Sequence, residues 1–391
     1  MAHATYLIVG GGMTAAAAVQ GIRQLDRQGQ ILVLGAEPYL PYKRPMLSKG
    51  LWKGAALEDI WISCGDENTE WLVRTRALEL DVTAHAVRAS DGQTYTYDKL
   101  LLATGGSPRK PWGEGVIYFR TLDDYHKLRM HAAPNARVVV IGGGFIGAEI
   151  AAALAMKGVR VTMVFPEHGI GARIFPPGLA EFLNTYYRQK GVAILAGDPV
   201  RYVEQRNARW CVQTESGTEF DAELVIAGVG IEPNVELARQ AGLPVENGIA
   251  VDMHLRAGDT DVFAAGDVAN FFCPALGERI RVEHEDNAIA QGTMAGRNMA
   301  GAHEQYDYVP MFYSDLFELG YEAVGILDSR LELVEDWQEP YTQGVVYYCR
   351  DGYIKGVLLW NVWERVEHAR RLIAAGKQYQ TLDAIKGLIP L

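Results

Sequence analysis

"ARVVVIGGGFIGAEIAAALAMKG", residues 136–158, carries three patterns in succession: a short apolar run of strand character, a glycine-rich turn, and an alanine-rich stretch of helical character. Its glycines fall as Gly142-x-Gly144-x-x-Gly147. The first permits a tight turn, the second a close approach of backbone to a pyrophosphate, and the third close packing of helix on strand. The phosphates then sit at the helix N-terminus, where free N–H groups and the helix dipole favour an anion. "TYLIVGGGMTAAAAVQGI", residues 5–22, repeats the plan with Gly10-x-Gly12-x-x-Ala15. Two such units predict an α/β chain with two Rossmann-like dinucleotide-binding domains, and two nucleotides to fill them.

An acidic residue trails each motif at the end of a second strand-like run. Glu37 closes "QILVLGAEPY" and Glu167 closes "VRVTMVFPEHG". A carboxylate at that place accepts both hydroxyls of an adenosine ribose and repels a 2′-phosphate. Glu167 therefore predicts NADH over NADPH, a preference that His168 and Arg173 beside it soften. Three further segments read as apolar strands closing on glycine turns: "YDKLLLATGGSPR" (97–109, with Thr104 in its turn), "AELVIAGVGIEPN" (222–234) and "TDVFAAGDVANF" (260–271). The last presents Asp267 on a tight turn, suited to the ribityl or phosphate part of a flavin. Glu149, two residues past Gly147, is expected in the first turn of its helix, where an acid is favourable.

Bulk composition narrows the function. At 391 residues the chain is too long for one ordinary core. Its formal net charge of −11 argues against nucleic acid, which needs a basic footprint. Cys64, Cys211, Cys273 and Cys349 lie far apart, without the spacing of a zinc or iron–sulfur site, so no metal is expected. They read as reduced structural thiols of a cytoplasmic protein. The most apolar segment, 138–156, contains Glu149 and four glycines, which argues against a membrane span.

Taken together, these motifs resemble the two-dinucleotide flavoprotein family of glutathione-reductase type, in its branch without a redox disulfide: the ferredoxin and rubredoxin reductases and, nearer still, the apoptosis-inducing-factor group. The resemblance is carried by "LPYKRPMLSKGLW" (40–52), "IGGGFIGAEIAAAL", "FPEHGIGARIFP", "VGIEPNVELA", "RVEHEDNA", "PMFYSDLFELGYEAVGILDS" and "GVLLWNVWERVEHARRLI". Where the disulfide branch has a cysteine pair, residues 40–52 offer Ser48-Lys49. The resemblance implies that Lys49 and Glu149 pair beside the flavin, so that electrons enter as hydride from NADH and leave directly from FAD. It further implies flavin contacts by Arg44, Arg120, Thr104, Asp267 and Tyr313, with Glu283 and His284 near the ring and nicotinamide. Arg173 and Gly230 would join Glu167 around NAD. Three positions depart from the family pattern: Ala36 where relatives carry an acid, Tyr313 in place of tryptophan, and Glu285 in place of an aromatic or histidine.

The expected architecture is an FAD domain from about 1–112 and 236–303, an inserted NAD domain from about 113–235, and a C-terminal α+β domain from about 304, with Trp360 and Trp363 in its core. The expected function is an NADH:acceptor oxidoreductase delivering electrons to a ferredoxin, a rubredoxin, a quinone or oxygen. The alternative is a slow NADH-sensing flavoprotein whose redox state controls dimerisation, so the chain is expected as a monomer or a redox-dependent homodimer.

Overall fold

A computed structural model describes residues 2–64 and 67–391. The chain forms two compact units, each assembled from separated segments. The first takes the residues up to Arg44, Ala56–Ser107 and Glu232–Pro310. The second takes Pro45–Ala55, Pro108–Ile231 and Met311–Leu391.

In the first unit the strand Ala2–Val9 lies between Ile31–Leu34 and Thr94–Leu102, parallel to both. From Tyr6 to Val9 every side chain is buried, as expected of a central parallel strand covered on both faces. Thr69–Leu72 extends the sheet on one side, and Val262–Ala264 pairs with the end of Thr94–Leu102. The alanine-rich helix Met13–Arg23 packs on Glu285–Met299 at very short range. A Cβ added at Gly292 would stand 2.4 Å from the Thr14 carbonyl, and one at Gly296 would stand 2.1 Å from that of Ala18. Small residues four apart on one helix, facing an alanine run on the other, are what lets the two backbones touch.

In the second unit a parallel sheet runs in the order Ala193–Ala196, Arg160–Phe165, Arg137–Ile141, Leu224–Ala227, Ile117–Tyr118. The antiparallel strands Val200–Arg206, Arg209–Thr214 and Glu219–Ala222 form a separate meander. Residues 311–360 form a five-stranded antiparallel sheet, followed by the helix Val366–Ala374. Trp360 is fully buried in this part, stacked on Tyr321 with ring centroids 5.7 Å apart. Trp363 departs from expectation: it is 50% exposed. It lies beyond the end of the strand Tyr353–Trp360, after Asn361 at a positive φ of 48°, and only its ring edge covers Gly320.

The short segment 45–55 is anchored by Trp52, which is buried and donates from Nε1 to the Leu47 carbonyl at 2.8 Å. Tyr125 meets the Trp52 ring edge-on at 5.7 Å and Arg129 sits over it at 5.0 Å, both from the helix Leu122–His131. Thr121 and Asp124 close a reciprocal capping box at that helix's N-terminus. Ser48 and Lys49 are thus carried on a clamped loop. No helix among the described residues is long and apolar enough to cross a membrane.

Candidate active site

Both glycine motifs form a turn of the same design. Gly10 and Gly142 adopt φ of 118° and 111°, and a Cβ at either would collide with the carbonyl of Ala103 or Gly228 respectively, at 2.1 and 2.4 Å. A Cβ at Gly147 would stand 2.0 Å from the Gly142 carbonyl, so helix and turn are in contact there. Ala15, at the matching place in the first motif, is fully buried. Gly12 and Gly144 cap the helices Met13–Arg23 and Phe145–Ala155 without a side-chain acceptor, and neither first turn holds an acid. A Cβ at either position would meet nothing within 4 Å. Open space over uncapped N–H groups fits a pyrophosphate at each site. The helix begins at Phe145, so Glu149 stands beyond its first turn; the expectation of a first-turn acid is corrected by one turn.

Around the first motif, Glu37 receives the Tyr42 hydroxyl at 2.6 Å and forms an ion pair with Arg44. Arg44 also donates to the Tyr42 oxygen at 2.9 Å. Burial works against the Arg44 charge, but Tyr42, Glu37 and Asp267 outweigh it and hold the guanidinium above its ordinary value. Asp267 lies in the turn Gly266–Val268, whose Gly266 amide donates to Gln291 Oε1 at 2.8 Å. Arg281 donates to the Asp267 carbonyl at 3.1 Å and pairs with Glu283 at 2.8 Å, and His284 caps the helix Glu285–Met299. The Thr104 hydroxyl is turned to the Asn234 carbonyl at 2.8 Å, and the Asn234 amide returns a bond to the Thr104 carbonyl at 2.8 Å. That reciprocal lock ties two crossing segments.

Around the second motif, Arg173 grips Glu167. Gly230 adopts φ of 91° with no atom within 4 Å of a Cβ, and its carbonyl accepts from the Arg109 amide at 3.0 Å. The Arg120 amide donates to Asp124 Oδ2 at 3.1 Å, at the head of the helix Leu122–His131.

Glu149 is a buried carboxylate with three polar partners. Its carboxylate lies 2.7 Å from the Lys49 ammonium, with side chains only 4% and 12% exposed. Ser48 donates to its Oε2 at 2.6 Å and Ser314 to its Oε1 at 2.5 Å. Lys49 Nζ also stands 4.8 Å from the ring centre of Tyr313, which is 39% exposed. Burial, reinforced by the Glu149 charge, pushes the phenols of Tyr187 and Tyr321 well above their ordinary range. Tyr187 donates to the Ala148 carbonyl at 3.1 Å. Lys49 and Glu149 are therefore brought together as expected, whereas Ser314 was not foreseen. Its signal was present in "MFYSDL", where a serine takes the inward place beside Leu316 in an otherwise alternating strand.

A family model, pyridine nucleotide-disulphide oxidoreductase, matches residues 4–292. The chain belongs to that family. A second model, the C-terminal domain of mitochondrion-associated apoptosis-inducing factor, matches 295–339 and 334–375. The chain is 34% identical to the ferredoxin–NAD(+) reductase component of the anthranilate 1,2-dioxygenase system of Burkholderia cepacia, over 95% of this chain and 94% of that one. It is 31% identical to the mitochondrial apoptosis-inducing factor 1 of Dictyostelium discoideum, over 98% of this chain and 81% of that one. The reductase of a covalent putidaredoxin reductase–putidaredoxin complex superposes with a TM-score of 0.90 at 30% identity, over 96% and 94% of the two chains. The chain is an oxidoreductase of this group, and its cofactors are FAD and NAD(H). It carries no cysteine in residues 40–52, where Ser48 and Lys49 stand.

Proposed function

We propose that this protein is the cytoplasmic reductase of a short electron-transfer chain, oxidising NADH and delivering electrons to a small ferredoxin- or rubredoxin-type protein. The buried ion pair between Lys49, in the cysteine-free segment 40–52, and Glu149 is the observation that carries this reading. Bound FAD supplies the chemistry, accepting a hydride and giving electrons up singly or in pairs. Gly10, Gly12, Ala15, Glu37, Arg44, Thr104, Arg120, Asp267 and Tyr313 are assigned to FAD. Gly142, Gly144, Gly147, Glu167, Arg173 and Gly230 are assigned to NADH, and Glu283 and His284 to the reacting rings. Lys49 supplies a fixed positive charge that favours an electron-rich flavin, and Glu149 sets its place. Tyr313 offers the cation an aromatic face. The four cysteines are free thiols, consistent with a reducing compartment and with electrons leaving without a disulfide relay.

Anaerobic titration with NADH, followed by a screen of ferredoxin, rubredoxin and quinone acceptors, tests the assignment. Stoichiometric reduction of non-covalent FAD and rapid passage to an iron protein is the expected result. The match to the apoptosis-inducing-factor C-terminal domain favours one second reading, a slow redox sensor. A long-wavelength flavin–nicotinamide band lasting many minutes in air, a monomer-to-dimer shift on sizing and negligible acceptor reduction would establish that reading instead.

A further inference from the structure

Three donors meet on the Glu149 carboxylate, and only one of them belongs to Lys49. The other two are hydroxyls, one on each oxygen. Ser48 reaches Oε2 and Ser314 reaches Oε1, both at the short lengths of charge-assisted O–H···O⁻ bonds. The terminal torsion of a glutamate is broad, so a carboxylate held by a single ammonium can rotate. A lysine is looser still, a point charge on a four-carbon stem with three rotatable donors. Such a cation stays in one place only if its anchor does.

The chain connectivity tightens this arrangement. Ser48 and Lys49 are consecutive, so one clamped loop sends two successive side chains to the two oxygens of one carboxylate. Tyr313 and Ser314 are also consecutive, and they touch the two partners of the ion pair: Tyr313 faces the cation and Ser314 binds the anion. Burying an ion pair is costly unless its remaining lone pairs are satisfied, and the two hydroxyls satisfy them.

We propose that Ser48 and Ser314 are positioning residues that lock Glu149 and thereby hold the Lys49 ammonium at a single point. This rests on the reading that Lys49 serves the flavin, and the test separates the two. Ser48→Ala, Ser314→Ala and Lys49→Met are made singly and in combination in the FAD-loaded protein. Two quantities are read: the flavin midpoint potential, and the rate of flavin reduction by NADH in anaerobic stopped flow. Each serine substitution is expected to slow reduction about tenfold, the effect of one lost hydrogen bond to a charged group, with the KM for NADH unchanged. Each should also move the potential in the same direction as Lys49→Met. In the Lys49→Met background the serine substitutions should add nothing to either quantity. Serine variants indistinguishable from the parent, or effects that persist in full without Lys49, would overturn the positioning role. A Lys49→Met protein with unaltered potential and rate would instead overturn the reading beneath it.

Discussion

Arg173 places both Nε and Nη2 on one oxygen of Glu167, at 2.7 and 2.5 Å, and leaves Oε2 outside the pair. Arg173 is 82% exposed and Glu167 22%, so the clamp approaches from the solvent side. On the proposed assignment Oε2 receives the ribose diol and the carboxylate charge repels a 2′-phosphate. NADH should be preferred over NADPH in kcat/KM by at least about tenfold, roughly 1.4 kcal/mol. Glu167→Ala removes the repulsion and releases Arg173 as a phosphate partner. The gap should then narrow chiefly through better use of NADPH. Steady-state kinetics with both coenzymes decide it, and equal use by the parent protein would take Glu167 out of this role.

Lys49 and Glu149 should behave as one unit in stability as well as in catalysis. Removing either leaves an uncompensated buried charge, at a cost of about 3 kcal/mol. The double substitution Lys49→Ala/Glu149→Ala should cost far less than the sum of the singles. Urea unfolding of the cofactor-free proteins measures this directly. Strict additivity would show that the two do not act as a pair.

Gly144 and Gly147 should separate binding from folding. An alanine methyl at Gly147 has no room against the Gly142 carbonyl, so Gly147→Ala should lower unfolding stability by about 2 kcal/mol. At Gly144 the methyl meets nothing in the protein and φ is an ordinary −81°. Gly144→Ala should therefore leave the melting temperature within a few degrees while raising KM for NADH several-fold. A KM unchanged by Gly144→Ala would argue against pyrophosphate at this turn.

Glu322 gives a pH signature. Its Oε2 is buried without a hydrogen-bond partner among the described residues, and it faces Tyr313 across the hairpin. Burial, then the charge of Glu364, raises its carboxyl above the usual range. A carboxyl raised in the folded state binds its proton more tightly there than in the unfolded chain. It therefore loses stability as pH rises from the ordinary glutamate value through the folded one. Glu322→Gln should stabilise the protein at neutral pH by less than about 1 kcal/mol, because the group is only partly buried, with the gain vanishing below about pH 4. Unfolding curves at pH 4 and pH 7 check the sign.

The parts legible in the sequence are those with local periodicity. The glycine turns, their parallel strands and the hairpins of 311–360 all follow from spacing within a few residues. Lys49 and Glu149 gave no such signal, because nothing local links a loop lysine to a helix glutamate; only the family resemblance joined them. Ser314 was harder, since its partner lies in a segment 165 residues away and its meaning depends on strand alternation. Thr104 and Glu37 show a different limit. Composition announces a polar group near a nucleotide turn, yet only the fold reveals that Thr104 is bonded to Asn234 and Glu37 to Tyr42 and Arg44. Trp363 was misplaced because hydrophobicity alone does not say on which side of a strand end a ring emerges.

The close seat of Gly292 and Gly296 against the Met13–Arg23 helix also sets a timetable for the nascent chain. The helix that carries the first nucleotide turn leaves the ribosome early, but the surface made to cover it does not exist until Glu285–Met299 has been translated. At typical elongation rates that wait is roughly tens of seconds. During it the apolar run of Ala15 to Val19 has no native partner on that side. Chaperone demand, and loss to aggregation during overexpression, should therefore concentrate in this early interval, and slowing synthesis should lengthen the exposure rather than relieve it.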